Sequence, residues 1–149
     1  MKYWSSEEYD IDEYLKRSDS YLRVREQIRA TNLKLLYDAG ITIAVATDAG
    51  NPGTFHGISI YSEMSAMEEA GVPPLDIITM ATKNGALAMD RLDDIGTLEK
   101  GKIADLIVLE KDPSQTIDNM RSISHFMRSG LMRPVIQAFE NTATKNKQH

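Results

Sequence analysis

A short apolar run near the middle of the chain limits its fold more than any other feature. Residues 41–46 read ITIAVA, which is uncharged, rich in β-branched side chains and free of glycine and proline. Such a run is typical of a strand covered on both faces, as in a parallel sheet. Helical patterns flank it on both sides. The sequence therefore predicts an α/β fold in which this strand is buried between helices.

Hydrophobic spacing predicts a long helix before this run. One apolar face recurs at helical intervals over residues 19–39, and Gly40 occupies the usual position just beyond a helix end. The members of this face are Val24, Ile28, Thr31, Leu35 and Leu36.

After the run, residues 47–57 hold three of the nine glycines and a proline, which indicates a loop. Three helices are predicted next: one from about Ser59 to Gly71, one that opens at Pro74, and a short one over 84–92. Beyond residue 94 the pattern changes to strands. These are a buried strand over 105–109 and a hairpin that turns at Ser129 and Gly130.

Composition excludes several classes of function. The chain has 149 residues, a formal net charge of -5 and no cysteine. It can form neither a disulfide framework nor a thiolate zinc site, and no basic stripe favours nucleic acid as a partner. No apolar run approaches the roughly 20 residues of a membrane span. Residues 1–10 lack a signal-peptide pattern, which predicts a cytoplasmic protein.

Two side chains in the glycine-rich loop are candidates for chemistry. Asp48 directly follows the apolar run, and reactive groups collect at the carboxyl ends of strands in α/β folds. Its alternative role is a loop carboxylate that caps a backbone N–H. His56 lies eight residues further along, and its alternative role is a solvated bystander. His125 falls inside a predicted strand and is interpreted as structural.

Residues 96–102 (GTLEKGK) match the spacing of a phosphate-binding loop. A strand is predicted to follow them, however, whereas a phosphate loop must open a helix. Lys100 and Lys102 are therefore interpreted as marking a solvated turn.

Three stretches together resemble the amidohydrolase superfamily. Residues 41–57, ITIAVATDAGNPGTFHG, are similar to the eighth barrel strand of those enzymes and the loop after it. Residues 95–113, IGTLEKGKIADLIVLEKDP, resemble the segment that leaves the barrel for a small β-sandwich, and residues 69–89 resemble the helical link between the two. The resemblance runs from about residue 33 to 133. The loop is most similar to the imidazolonepropionase-like and dipeptidase-like branches.

The resemblance implies both a fold and an activity. The fold is the C-terminal part of a (β/α)8 TIM barrel over residues 1–93, part of a β-sandwich over 94–135, and a tail over 136–149. The activity is metal-dependent hydrolysis of amide-type C–N bonds in a small amide or dipeptide substrate. The expected cofactor is a divalent metal, zinc. Asp48 would approach the metal, take the proton of the attacking water and pass it to the leaving nitrogen, while His56 would bind substrate.

The chain differs from the family pattern in its length and in its possible metal ligands, and both differences change what is expected of it. A complete barrel needs roughly 250 residues. The family site also uses a His-x-His pair, which this chain lacks. The chain is therefore expected to be inactive alone, to hold no metal firmly, and to require either the missing N-terminal portion or self-association. The alternative is a non-catalytic interaction or assembly domain that kept the scaffold.

Overall fold

The computed structural model describes residues 11–135, with side chains described from Ser20 onward, so the predicted tail over 136–149 lies outside the described residues. The helices are α1 Ile11–Asp38, α2 Ser59–Glu69, α3 Pro74–Ala81 and α4 Lys83–Ala88. The strands are β1 Leu106–Leu109, β2 Ile123–Arg128 and β3 Leu131–Pro134, with a short 3-10 helix Ile117–Arg121 between β1 and β2.

The predicted helix boundaries are confirmed where glycine and proline set them. Gly71 follows α2 with a φ of 90°, a left-handed conformation that glycine adopts without steric cost. The N–H of Val72 then donates to the Met67 carbonyl at 3.1 Å and closes the helix end. Pro74 occupies the first turn of α3, where its missing N–H leaves no bond unmade.

The hydrophobic core lies between α2, α3 and the 3-10 helix. Residues from α1 and from the 41–46 run pack against it from outside. Its buried members are Met64, Met67, Val72, Ile77, Met80 and Ile117, and the partly buried residues around them include Leu33, Tyr37, Ile43 and Val45.

The helix predicted over residues 19–39 is present as part of α1, which begins earlier, at Ile11, and ends at Asp38, but its apolar face does not point into this core. Val24, Ile28 and Leu35 are 52, 55 and 63% exposed. The helix instead reaches the core through Leu33 and Tyr37. Periodicity identifies an apolar stripe without identifying the surface that will cover it, and residues 11–135 provide no surface for this one.

The prediction of a buried parallel strand over residues 41–46 is wrong. No strand is present there, and burial alternates from one residue to the next over 42–48, which is the pattern of an extended chain packed on one side. The segment is attached to helices: the Val45 N–H donates to the Met80 carbonyl at 3.2 Å, and Asn84 Nδ2 donates to the Ile43 carbonyl at 2.8 Å. The physical reason is that a strand needs a neighbour, and no other strand of the described part lies beside it.

The three strands form an antiparallel sheet in the order β1-β2-β3, with Phe126 opposite Ile107 on one side and Arg133 on the other. The predicted hairpin is confirmed. Its two turn residues, Ser129 and Gly130, have φ values of 50° and 81°, as a two-residue turn between twisted strands requires. The predicted strand over 105–109 is present as β1, but it is not buried, because Ile107 and Val108 are both exposed.

The described residues thus form a group of helices followed by a small antiparallel sheet. No two strands within residues 11–135 pair in parallel, so the parallel sheet of the predicted α/β class is not seen there. None of the helices described in this range is both long and apolar enough to cross a bilayer.

Candidate functional site

The loop after the apolar run holds the Asp48 side chain in place. Asn51 Nδ2 donates to Asp48 Oδ2 at 2.7 Å and to the Asp48 carbonyl at 3.1 Å. Thr54 Oγ1 also donates to the Asp48 carbonyl, at 3.1 Å. Asp48 Oδ1 makes no hydrogen bond with any described residue, and the residue is exposed. One carboxylate oxygen is therefore held, and the other is open to a ligand.

The loop sequence explains this arrangement. Asp48 has a φ of 47°, and aspartate is among the few residues that enter the left-handed region. The N–H of Gly50 donates to the Thr54 carbonyl, and the N–H of Thr54 donates to the Asn51 carbonyl. Sequence reasoning missed both Asn51 and Thr54. The signal was available, because asparagine, glycine and proline close together favour a turn in which side-chain amides bond to nearby carbonyls.

His56 lies in the same loop, on the other side of Gly50. A Cβ built on Gly50 would lie 3.8 Å from His56 Nε2, so the imidazole ring sits against this glycine. No hydrogen bond joins His56 to Asp48, and both residues are exposed. His125 lies in β2, where its Nδ1 is 3.1 Å from Ser124 Oγ. The structure thus puts Asp48 and His56 in one exposed loop and His125 in another element.

Asp48 is the metal ligand that the sequence analysis predicts, and its Oδ1 makes no hydrogen bond with a described residue. Among the side chains described from Ser20 to residue 135, no three histidine, aspartate or glutamate side chains are close enough together to hold a metal ion. A catalytic zinc normally has three protein ligands and one open position. The described residues therefore do not fit a complete metal centre.

The helices behind the loop are tied together by a side-chain hydrogen bond. Tyr37 Oη, on α1, donates to Asp76 Oδ2, on α3, at 2.6 Å. This bond to a carboxylate raises the pKa of Tyr37, and desolvation adds to the effect. This hydrogen bond joins α1, which precedes the 41–48 segment, to α3, whose Met80 carbonyl accepts the Val45 N–H.

A cavity of about 490 Å³ lies away from the loop, between the start of α4 and the 97–102 turn. Neither Asp48 nor His56 lines it. Lys102, on its wall, has a side chain only 12% exposed, and its Nζ donates to the Leu92 carbonyl at 2.6 Å and to Thr97 Oγ1 at 2.5 Å. The interpretation as a solvated turn holds for Lys100, which is exposed. It is wrong for Lys102, because its largely buried side chain stabilises the turn through these two hydrogen bonds.

Sequence comparison identifies relatives along most of the chain. The model of the amidohydrolase family matches residues 11–142. Imidazolonepropionase of Cutibacterium acnes is 44% identical over 75 residues, which are 50% of this chain and 18% of that protein. Imidazolonepropionase of Bacteroides fragilis is 32% identical over 105 residues, which are 68% of this chain and 25% of that protein. The chain thus spans about a fifth to a quarter of the length of these curated relatives.

Solved structures show the same relationship. A Xaa-Pro dipeptidase with bound methionine matches with a TM-score of 0.63 and 28% identity, over 70% of this chain and 25% of that chain. Phenylurea hydrolase B matches with a TM-score of 0.62 and 32% identity, over 69% of this chain and 26% of that chain. In both cases about a quarter of a larger protein corresponds to most of this chain.

Proposed function

The chain belongs to the amidohydrolase family, and we propose that it supplies one catalytic carboxylate, Asp48, to a metal-dependent hydrolase of amide-type C–N bonds. The observation that carries this proposal is the state of that side chain. It lies in an exposed loop at the end of the segment similar to the family's enzymes, with Oδ2 held by Asn51 and Oδ1 open.

This geometry suits a residue that moves a proton. A carboxylate in a fixed orientation can accept a proton from an attacking water and then return it to the leaving nitrogen. Asn51 limits rotation of the carboxylate through its bond to Oδ2 and leaves Oδ1 as the oxygen that exchanges the proton. Orienting the group in advance lowers the entropic cost of reaching the transition state.

The cofactor belongs to the proposal as well. The amidohydrolase relationship favours a divalent metal, zinc, but the described residues do not bring three possible ligands together at Asp48. We therefore assign no step to a metal held by these residues alone. The remaining ligands would come from outside the described part of the chain or from another chain, and this chain alone is expected to be inactive.

The substrate proposal rests on the relatives and on the loop. The names of the matched proteins include a dipeptidase and a phenylurea hydrolase, which supports a small amide or dipeptide as substrate. His56 would contact that substrate, since it is exposed in the same loop as Asp48. The corresponding fold proposal is the last part of a (β/α)8 barrel up to residue 93, followed by part of a β-sandwich over 94–135.

A chimeric enzyme tests the role of Asp48. The matched segment of the Bacteroides fragilis imidazolonepropionase is replaced by the corresponding residues of this chain, and hydrolysis is measured after zinc loading. Asp48→Asn should lower kcat by about 10²–10⁴-fold, the usual contribution of a general acid–base group. Asp93→Asn is the matched control, since Asp93 is an exposed carboxylate outside the loop, and it should leave kcat unchanged.

Two results would count against the proposal. One is a folded, zinc-loaded chimera whose activity survives Asp48→Asn. The other is a chimera that folds and binds zinc but hydrolyses nothing, which would favour the alternative of a non-catalytic assembly domain. Circular dichroism and metal analysis of the chimera establish folding and loading before activity is compared.

A further inference from the structure

Asn84, near the start of α4, holds the segment that leads into the candidate site. Its Nδ2 donates to the Ile43 carbonyl at 2.8 Å, across 41 residues of sequence, and both residues are half-buried. Two residues further along the segment, the Val45 N–H donates to the Met80 carbonyl at 3.2 Å. Backbone groups two residues apart lie on the same side of an extended chain. The two bonds therefore attach one side of the segment to the α3–α4 region.

The break between α3 and α4 makes both bonds possible. Thr82, between the two helices, has a φ of -115° and a ψ of -81°, which are not helical values. Because the last carbonyls of a helix have no partner within it, the Met80 carbonyl is available to the segment. The start of α4 is itself closely packed, since a Cβ on Gly96 would lie 2.5 Å from Ala86 Cβ. Asn84 thus projects from a part of the fold with little room to move.

This attachment is close to the candidate site along the chain. Val45 precedes Asp48 by three residues, a distance of about 10 Å at most. The bonds that Asn51 and Thr54 make to Asp48 fix the shape of the loop itself. They join the loop to itself and not to the helices, so the position of the loop on the helices depends on the residues at its two ends. Asn84 acts on the end nearer to Asp48.

We propose that Asn84 is a positioning residue for Asp48, and this inference rests on the catalytic role proposed for that carboxylate. Without the amide donor, the half-buried Ile43 carbonyl loses its partner, and a buried acceptor without a partner is destabilising. The segment would then shift away from α4 and displace Asp48. A shift of about 1 Å in a reacting group can lower a rate by about 10²-fold, so a small loss of anchoring has a measurable effect.

Nuclear magnetic resonance of the full chain tests this role without any measurement of activity. Asn84→Ala removes the donor, adds no charge and suits a helix. The Val45 N–H should exchange with solvent about tenfold faster, and the amide signals of Asp48 and Asn51 should shift. The Glu110 N–H, which donates to the Ser122 carbonyl beside the sheet, should keep its exchange rate, which separates a local release from a loss of folding. Unchanged Asp48 and Asn51 signals would overturn the inference.

Two further variants complete this test. Asn84→Asp keeps the size of the side chain and replaces the donor by an acceptor, so it should give the same changes as Asn84→Ala. Asn119→Ala is the matched control, because Asn119 is also half-buried and its Nδ2 donates to the Asp112 carbonyl at 2.7 Å. It removes a bond of the same kind outside the segment and the loop, and should leave the Val45 exchange rate and the Asp48 signal unchanged.

The chimera with the Bacteroides fragilis protein tests the catalytic consequence. Asn84→Ala should lower its kcat about tenfold with little change in KM, and Asn119→Ala should leave kcat unchanged. In the Asp48→Asn background, Asn84→Ala should cause no further loss, because its effect passes through Asp48. An equal loss in both backgrounds would overturn the inference. Activity that survives Asp48→Asn would count against the proposed function instead, and the signals of the full chain would still decide whether Asn84 positions the loop.

Discussion

At the scale of single residues, spacing along the sequence identified Asp48 as a candidate but not the side chains that hold it. Proximity to the end of an apolar run is visible in the sequence. The bonds from Asn51 Nδ2 and Thr54 Oγ1 depend on the left-handed turn at Asp48, which spacing does not specify. The inward side chain of Lys102 was missed for a related reason, since a lysine beside a glycine turn is indistinguishable in sequence from a solvated one.

Gly96 provides a prediction at this scale. Its φ is 94°, and a Cβ there would lie 2.5 Å from Ala86 Cβ and 3.1 Å from the Thr82 carbonyl oxygen. Gly101 has a similar φ of 100°, with nothing within 4 Å. Gly101→Ala should therefore cost only the left-handed conformation, about 1–2 kcal/mol in the free energy of unfolding. Gly96→Ala should cost about 1–3 kcal/mol more because of the clash with α4. Equal losses in urea titrations would contradict the close approach.

At the scale of elements, the predictions succeeded for features that the local residues determine, such as helix ends and turns. They failed for burial, which depends on the neighbours that pack against an element. Helix ends at Gly71 and Pro74 and the turn at Ser129 and Gly130 follow from backbone preferences that the residues carry themselves. The burial predicted for the 41–46 run and for β1 required neighbours that the described residues do not provide. An apolar run predicts that another element packs against it, but the run alone does not identify that element.

The tie between α1 and α3 gives a pH-dependent prediction. The bond to Asp76 raises the pKa of Tyr37, so its stabilising effect is complete below the ordinary tyrosine pKa of about 10 and is lost as pH rises through the higher folded value. Tyr37→Phe should lower the thermal midpoint at pH 7, and its difference from the unmodified chain should shrink above about pH 10. Tyr21→Phe, on the exposed face of the same helix, is the control and should show neither effect. A pH-independent difference for Tyr37→Phe would argue against the bond.

At the scale of the whole molecule, the described residues expose much apolar surface, and the chain matches only part of each larger relative. Large apolar side chains remain exposed on α1, on the 41–46 run and on the sheet, including Ile28, Leu35, Ile41 and Ile107. The chain corresponds to about a quarter of each larger hydrolase that it matches in structure. Exposed apolar side chains of this extent within the described residues are typical of surfaces that another part of a protein or a partner covers.

Zinc content and amide hydrolysis, measured on the same preparation of the purified chain, test this account most directly. One exposed carboxylate competes poorly with the hydration shell of the ion, and without a firmly held ion the bound water is not activated. We expect well under one equivalent of zinc per chain by elemental analysis and no hydrolysis of amides or dipeptides. A full equivalent of zinc, together with hydrolysis that disappears on Asp48→Asn, would contradict it by showing that this chain assembles a complete site.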